Sequence, residues 1–311
     1  MALWLSEDDV RARLTMPAVM EAMERALAAF SAGRVAQPVR TSIDLRDRAF
    51  IALMPAYDRE RRVLGTKTVS VIPENAARGL PTHLATISLV SGETGELLAV
   101  MDGRLITEMR TAAVSAVSVK YLARRGAAVL AILGSGVQAR SHVEALTGFD
   151  EVRAWSPNAH HLAEFAEETG VRAAASAEEA VRDADVVVLA TNSVTPVLDD
   201  EWVRPGAHVI SLGAARPTQR EIAPELVGRA RLVVDSRDAA AVESGDIVQA
   251  IAEGRITAEA ARLELGEVIA GSPGRASDDE VTVFKSLGLA VEDLATALLV
   301  YFRFKAESTE I

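Results

Sequence analysis

The sequence predicts an α/β fold: a doubly wound parallel sheet joined to a second unit of mixed α and β structure. Three observations carry this. A glycine turn lies in VLAILGSGVQAR at 129–140, apolar strands and helices alternate from there to residue 236, and β-rich runs between 39 and 100 show no such alternation. In the first stretch 129–133 reads as a short apolar strand, and a helix opens at about Val137. Gly134 permits the tight turn, Gly136 lets backbone N–H groups approach a diphosphate, and Ala139 supplies the small residue needed where helix packs on strand. The helix start offers unpaired N–H donors and a positive dipole end. A GxGxxA pattern alone is weak, but here it follows a strand, opens a helix and begins a β/α series.

The alternation continues with a helix to about 146, strand EVRAW at 151–155, a helix from 159 and a strand at 171–174. A helix at 177–184 and strand DVVVLAT at 185–191 follow, and HVISLG (208–213) and RLVVDS (231–236) are apolar throughout, as strands buried on both faces are. Residues 243–271 read as mostly helical. Upstream, Ser6 precedes three acids as a helix cap does, and a helix spans 16–31. The runs TSIDL, AFIALMPAY, LGTKTVSVI, HLATISLV and ELLAVMD, separated by turn clusters, form a mixed or antiparallel sheet. A helix rich in small residues covers 110–124, and Gly126 marks a hinge. The long apolar helix at 289–305 most simply returns to the N-terminal part, which makes residues 1–124 with 289–311 one discontinuous domain and 125–288 the nucleotide domain.

The 311 residues suffice for two domains with real cores, and 49% are hydrophobic. A net charge of −11 argues against nucleic acid or an anionic membrane as partner. The absence of cysteine excludes disulfides, thiol nucleophiles and Cys-ligated metals. MALWLSEDDV meets acids too early for a signal peptide, and no apolar run approaches the roughly 18–20 residues of a membrane span, so a soluble, cytoplasmic protein is expected.

The residue closing the second strand of a dinucleotide unit selects its cofactor, since a carboxylate there binds the ribose 2′-OH. Here the stretch is WSPNAHH at 155–161, without an acid. Ser156 and Asn158 can donate hydrogen bonds, although a Ser/Asn helix cap explains them equally well. The missing acid favours NADP(H), with NAD(H) as the alternative. No metal site is expected, because His142, His160, His161 and His208 show no ligand spacing with carboxylates.

Several further segments point one way: QPVRT (37–41), MPAY (54–57), GTK (65–67), PTHLAT (81–86), LLAVMDGRLITEMRTAAVSA (97–116), LGSGVQARSH (133–142), LELGEVIAG (263–271) and TVFKSLGLAVED (282–293). Together, and in this order, they resemble the ornithine cyclodeaminase/mu-crystallin family over nearly the whole chain. The resemblance implies a Rossmann domain, a substrate domain built from both chain ends, and homodimers formed through the sheet of that domain. It further implies an amino or imino acid handled beside C4 of a nicotinamide. Cyclodeaminases and alanine dehydrogenases look alike in carrying an Asp in a turn after a late strand. The matching turn here is LGAARP at 212–217, so Ala215 stands in that place, as a small residue does in mu-crystallin-like ketimine reductases. The departure counts against deamination, which needs a base.

A substrate carboxylate is bound best by a guanidinium. By resemblance Arg40 and Arg110 are its ligands; on sequence alone Arg40 would be an exposed strand-end arginine. Arg110 is read as opening its helix, where a cation is disfavoured and needs a reason. Lys67, in an apolar strand, is either solvated or a desolvated pocket lysine that binds the carboxylate or moves the imine proton; the resemblance favours the second. Thr82 and His83 resemble family residues that touch the cofactor. Val137 and Gln138 would meet the diphosphate through backbone N–H, while Thr191, Leu212 and Gly213 end strands at the edge where cofactors bind. Ser286 contacts the carboxamide or caps the last helix, and Glu264 or Glu267 could replace the carboxylate absent at Ala215, although a place on a helix surface is the commoner one for such residues. The expected activity is NAD(P)H-dependent reduction of a cyclic ketimine such as 1-pyrroline-2-carboxylate or 1-piperideine-2-carboxylate. Cyclodeamination of ornithine, oxidation of alanine, and non-catalytic NADP binding are the alternatives.

Overall fold

A computed structural model describes residues 2–46 and 49–307; residues 1 and 308–311, the outer ends of the expected substrate domain, lie outside the described residues. Contacts divide the chain into two compact units, 1–113 with 288–311, and 114–287. The chain opens with β1 (Leu3–Leu5), α1 (Glu7–Arg11), α2 (Met16–Ser31), β2 (Val35–Ala36) and β3 (Thr41–Arg46). It continues through β4 (Ala49–Asp58), β5 (Val63–Val71), β6 (His83–Ser91), β7 (Leu97–Asp102) and α3 (Arg104–Leu122). Next come β8 (Val129–Leu133), α4 (Val137–Ala145), β9 (Glu151–Trp155), α5 (Ala159–Thr169), β10 (Arg172–Ala173) and α6 (Ala177–Val181). Then follow β11 (Val186–Leu189), β12 (His208–Ser211), α7 (Pro224–Arg229), β13 (Arg231–Val234), α8 (Arg237–Glu243), α9 (Gly245–Ala252), α10 (Leu265–Ile269), β14 (Thr282–Lys285) and α11 (Ala290–Glu307).

The first unit is a sheet of order β1-β7-β6-β5-β4-β2, with β3 on β4. β1 runs parallel to β7 and the other pairings are antiparallel. Strict alternation in β5 turns Val63, Gly65, Lys67 and Val69 inward. The inward face packs on α11, which also lies along α2. Gly65 allows that approach, because a Cβ there would stand 2.8 Å from Leu294 Cδ1. The opposite face leaves Leu53 and Leu84 exposed, and every residue of β3 is exposed, including Ile43 and Leu45.

The second unit is a sheet of order β10-β9-β8-β11-β12-β14-β13 in which all pairings are parallel. The strand order reverses between β8 and β11, the place where such sheets open a crevice. There Gly134 has φ +125°, and a Cβ on it would lie 2.3 Å from the Ala190 carbonyl oxygen. Buried Asp185 fixes the start of β8 by accepting from the N–H groups of Ala128 (2.7 Å) and Val129 (3.0 Å). The stretch 243–271 is broken into short helices rather than one.

The division between units falls inside α3 rather than at Gly126. The second half of that helix carries Ser115 and Ser118, whose hydroxyls meet His142 Nε2 (2.8 Å) and His208 Nε2 (3.0 Å). Among the described residues no helix is long and apolar enough to cross a membrane. One expectation about metals changes: helix α5 brings ligand atoms of His160, His161 and Glu164 within 4.8 Å of one another, since residues four apart share a helix face. All three are exposed.

His142 and His208 are fully buried, and burial pushes them down to about 4 and about 3 respectively. Their folded values lie below the ordinary 6.5, so the unfolded chain binds more protons between about pH 4 and 6.5. Stability should therefore fall as pH drops through that window. Chemical denaturation of His142→Gln should show a slope shallower by up to about 1.4 kcal/mol per pH unit than that of the unchanged chain.

Candidate active site

In the first unit the inward alternation of β5 puts Lys67 in the core, 2% exposed, where a lone ammonium is costly. Its Nζ is 2.6 Å from Asp293 Oδ2, on the first turn of α11. Arg110 is also buried and shares that carboxylate: Nε lies 3.1 Å from Asp293 Oδ1, and Nη1 lies 2.8 Å from Glu292 Oε2. Gly288 makes room for the guanidinium, since a Cβ there would stand 2.5 Å from Nη1. The QPVR segment is pinned to the same corner. Gln37 Oε1 accepts from Val291 N (2.7 Å) and Arg40 Nη2 donates to the Gly288 carbonyl (3.1 Å).

Arg110 does not open its helix. α3 begins at Arg104, whose N–H is capped by Asp102 Oδ1 at 2.8 Å, so the argument from the helix end fails. The two buried carboxylates supply the reason for this arginine instead. Glu292 and Asp293 are the residues that sequence reasoning missed. Their only signal was a pair of acids at the start of the last helix, the ordinary place for acids on a helix.

Burial pushes Lys67 down to about 8, Asp293 opposes this, and the Arg110 and Arg40 cations add to it. His83 opens β6, and its Nε2 is buried without a hydrogen-bond partner among the described residues. Burial, then the Lys67 and Arg110 charges, push it down to about 4, so it is neutral near pH 7. Thr82 is exposed in the preceding loop. Arg40, Lys67 and Arg110 set three positive charges against the two negative charges of Glu292 and Asp293.

In the second unit α4 starts at Gly136, whose extended backbone serves as N-cap with no side-chain bond to the helix. Nothing lies within 4 Å of where a Gly136 Cβ would be. The N–H groups of Val137 and Gln138 start a helix with open space before it, as a diphosphate requires. Ser156 follows β9 and accepts from the Ser135 hydroxyl at 3.0 Å. Asn158 caps α5, its side chain accepting from His160 N (3.0 Å) and His161 N (3.1 Å). Thr191, Leu212 and Gly213 follow β11 and β12 at the carboxyl edge of the sheet. These residues fit a dinucleotide.

Ser286 is buried, with its N–H bonded to the Ser211 carbonyl (3.0 Å), and it does not cap α11, which starts four residues on. Glu264 and Glu267 are engaged by Arg237 at 3.0 and 2.5 Å. In the turn after β12, Ala214 takes a left-handed φ of +50° and Ala215 is exposed. A second set went unread in the sequence: Glu221, Asp246 and Lys285, all buried beneath that turn.

Fold and site define a two-unit protein with a Rossmann-type dinucleotide unit and a second unit that holds a buried cluster of paired cations and carboxylates. The chain belongs to the ornithine cyclodeaminase/mu-crystallin family, whose sequence model matches residues 2–308. The ketimine reductase mu-crystallin of Rattus norvegicus is 44% identical over 308 residues, covering 96% of each chain. The Δ1-pyrroline-2-carboxylate reductase of Thermococcus litoralis, solved with NADH and L-proline, superposes with a TM-score of 0.93 at 37% identity over 98% of both chains. An archaeal alanine dehydrogenase dimer with bound NAD gives 0.92 at 36% identity, covering 100% of this chain and 97% of that one.

Asp293→Asn removes the counter-charge that keeps Lys67 protonated, so the Lys67 pKa should fall below its present value of about 8. The basic limb of the pH–rate profile should move toward neutrality, with far-ultraviolet circular dichroism unchanged.

Proposed function

We propose that this chain is an NAD(P)H-dependent reductase of cyclic ketimines, converting 1-pyrroline-2-carboxylate or 1-piperideine-2-carboxylate to L-proline or L-pipecolate. The observation that carries this is the desolvated cluster of Lys67 and Arg110 on Asp293, with Arg40 beside it. Arg40 and Arg110 grip the substrate carboxylate, Arg110 already being oriented by its two carboxylate partners. Lys67, protonated below about pH 8, provides the proton at the imine nitrogen. When bound, the nicotinamide supplies the hydride that adds to the imine carbon, so C=N becomes CH–NH. A protonated imine is already electrophilic, so positioning and charge complementarity supply most of the rate effect. Oxidation of a free amine would need a base in the turn after β12, where Ala215 offers only a methyl group.

NADP(H) is the preferred cofactor in this reading. The loop after β9 carries no carboxylate to bind a ribose 2′-OH, and Ser156 and exposed His160 and His161 are compatible with a 2′-phosphate. The chain acts as a homodimer. The outer face of the first unit's sheet, with Ile43, Leu45, Leu53 and Leu84 exposed, is an apolar surface of the kind subunits cover. Size-exclusion chromatography with light scattering reads this directly.

The testing assay is oxidation of NADPH and NADH with a panel of cyclic and linear imino acids. Lys67→Ala and Arg110→Ala should each lose about 100-fold or more in turnover while the fold is retained. Lys67→Arg should abolish the decline in rate above about pH 8. Unchanged rates in both alanine variants would refute the assignment of the site. Separately, Ser156→Asp should raise KM for NADPH about tenfold or more and leave KM for NADH within about threefold; equal effects on both would sink the cofactor assignment.

A further inference from the structure

We propose that Glu221 is a positioning residue for the dinucleotide: its buried carboxylate ties the ends of β11 and β12 into the rim on which the cofactor lies. The inference rests on the cofactor reading given above. β11 ends at Leu189 and β12 at Ser211, and the last backbone bond between them runs from Leu212 N to the Leu189 carbonyl at 3.2 Å. Beyond it the ladder stops and Glu221 takes over. Oε1 accepts from Thr191 N (3.2 Å) and Thr191 Oγ1 (2.6 Å), and Oε2 accepts from Gly213 N (2.7 Å) and Ser211 Oγ (3.0 Å). One carboxylate thus joins the residues that follow both strands.

The supporting residues make this arrangement rigid. Asp246 Oδ1 accepts from the N–H groups of Glu221 (2.8 Å) and Ile222 (3.1 Å), which fixes the backbone that presents the carboxylate. Lys285 lies 3.2 Å from Asp246 Oδ2, donates to Ser211 Oγ at 2.8 Å, and also donates to the Gly213 carbonyl. Gly213 is therefore held through both its N–H and its C=O. Only glycine fits there, as a Cβ would stand 2.5 Å from the Thr191 carbonyl oxygen and 2.6 Å from Glu221 Cδ. Neither partner of the cofactor edge can move without breaking these bonds.

The chemistry requires an ionised carboxylate. Two of the four donors are backbone N–H groups, which cannot reverse, so a proton or an amide N–H2 on Glu221 removes an acceptor they need. The charged groups packed against it are Asp246 of α9 and Lys285 of β14. Burial pushes Glu221 up to about 7, Lys285 opposes this and Asp246 adds to it. Protonation near neutrality loosens the rim, and cofactor binding weakens as pH falls through that value. Both carboxylate oxygens of Glu221 are taken up by donors of the chain itself, so its role is positional.

The test is titration of NADH and NADPH fluorescence against the whole protein from pH 6 to 8.5, with melting of the cofactor-free protein followed separately. The unchanged chain should show a dissociation constant that rises several-fold as pH falls from 8 to 6. Glu221→Gln should bind about tenfold or more weakly at pH 8, with no pH dependence. A merely structural role would lower the melting temperature and leave both the constant and its pH profile unmoved, and that outcome overturns the proposal. So does a sloped profile that survives intact in Glu221→Gln. Should that variant fail to fold, Asp246→Asn, which removes the adjacent negative charge, is expected to shift the midpoint of the binding profile to lower pH; an unmoved midpoint overturns the proposal. If the unchanged chain binds neither nucleotide at any pH, the cofactor reading itself falls. If it binds with a flat profile, only the role of Glu221 does.

Discussion

The first unit depends on one carboxylate, that of Asp293, held between an ammonium and a guanidinium out of contact with water. Burying Lys67 or Arg110 alone would cost several kcal/mol, and burying Asp293 alone no less. Together with Glu292 they offset one another's charge in ion pairs of 2.6–3.1 Å. Such a cluster adds little net stability compared with apolar residues of the same shape. Its presence in the core of a sheet accords with the binding role proposed for it, and the fold bears the consequence. The acids come from residues 292–293 and the cations from 67 and 110, so the chain must return across the sheet it laid down at its start. Gly65 and Gly288 are where the Leu294 side chain and the Arg110 guanidinium come too close for a Cβ.

The same logic operates in the second unit with the signs reversed. There the buried acids Glu221 and Asp246 collect N–H donors, and one buried ammonium, Lys285, offsets part of their charge. A parallel sheet ends where its strands diverge, and it leaves polar backbone groups that must find partners. Elsewhere in this unit Asp185 does the equivalent task at the opposite ends of the strands, accepting from Ala128 and Val129. Side-chain carboxylates thus finish both edges of the β8–β11–β12 region. The edge near Gly134 also carries a helix start without a side-chain cap.

What could be read in the sequence followed from local rules. The glycine turn, the β/α alternation and the inward placement of Lys67 depend on periods of two and 3.6 residues and on steric needs a few residues apart. Helix α3 starts at Arg104, six residues before the expected start at Arg110, with Asp102 as its cap. Ser286, whose place suggested a cap, bonds instead to the neighbouring strand. Glu292 and Asp293 looked like ordinary first-turn acids because their partners lie 182 and 183 residues away. Lys285 and Glu221 carried no local signal, since contacts between segments far apart in the chain leave no spacing to detect. Exposed His160, His161 and Glu164 show the converse: a spacing easily overlooked in sequence brings ligand atoms together, on a surface where nothing desolvates them.

The electrostatics of the first unit also couple binding to protonation. Lys67 is held near 8 by burial and by two neighbouring guanidinium groups, with Asp293 the favourable term. A carboxylate arriving beside Arg40 and Arg110 adds a second favourable charge, which stabilises the ammonium over the neutral amine. By linkage, the protonated cluster must bind that anion more tightly than the deprotonated one. In the proposed reaction substrate binding and readiness of the acid are then a single equilibrium: the anion that needs a proton at its nitrogen raises the pKa of the group that holds one. The product forms with Lys67 deprotonated; it carries the same carboxylate, which favours the return of a proton from solvent to the Lys67 amine. Its secondary amine, protonated near neutrality, no longer needs the lysine's proton and meets the ammonium as a like charge. That repulsion sets product apart from substrate where the carboxylate contacts cannot.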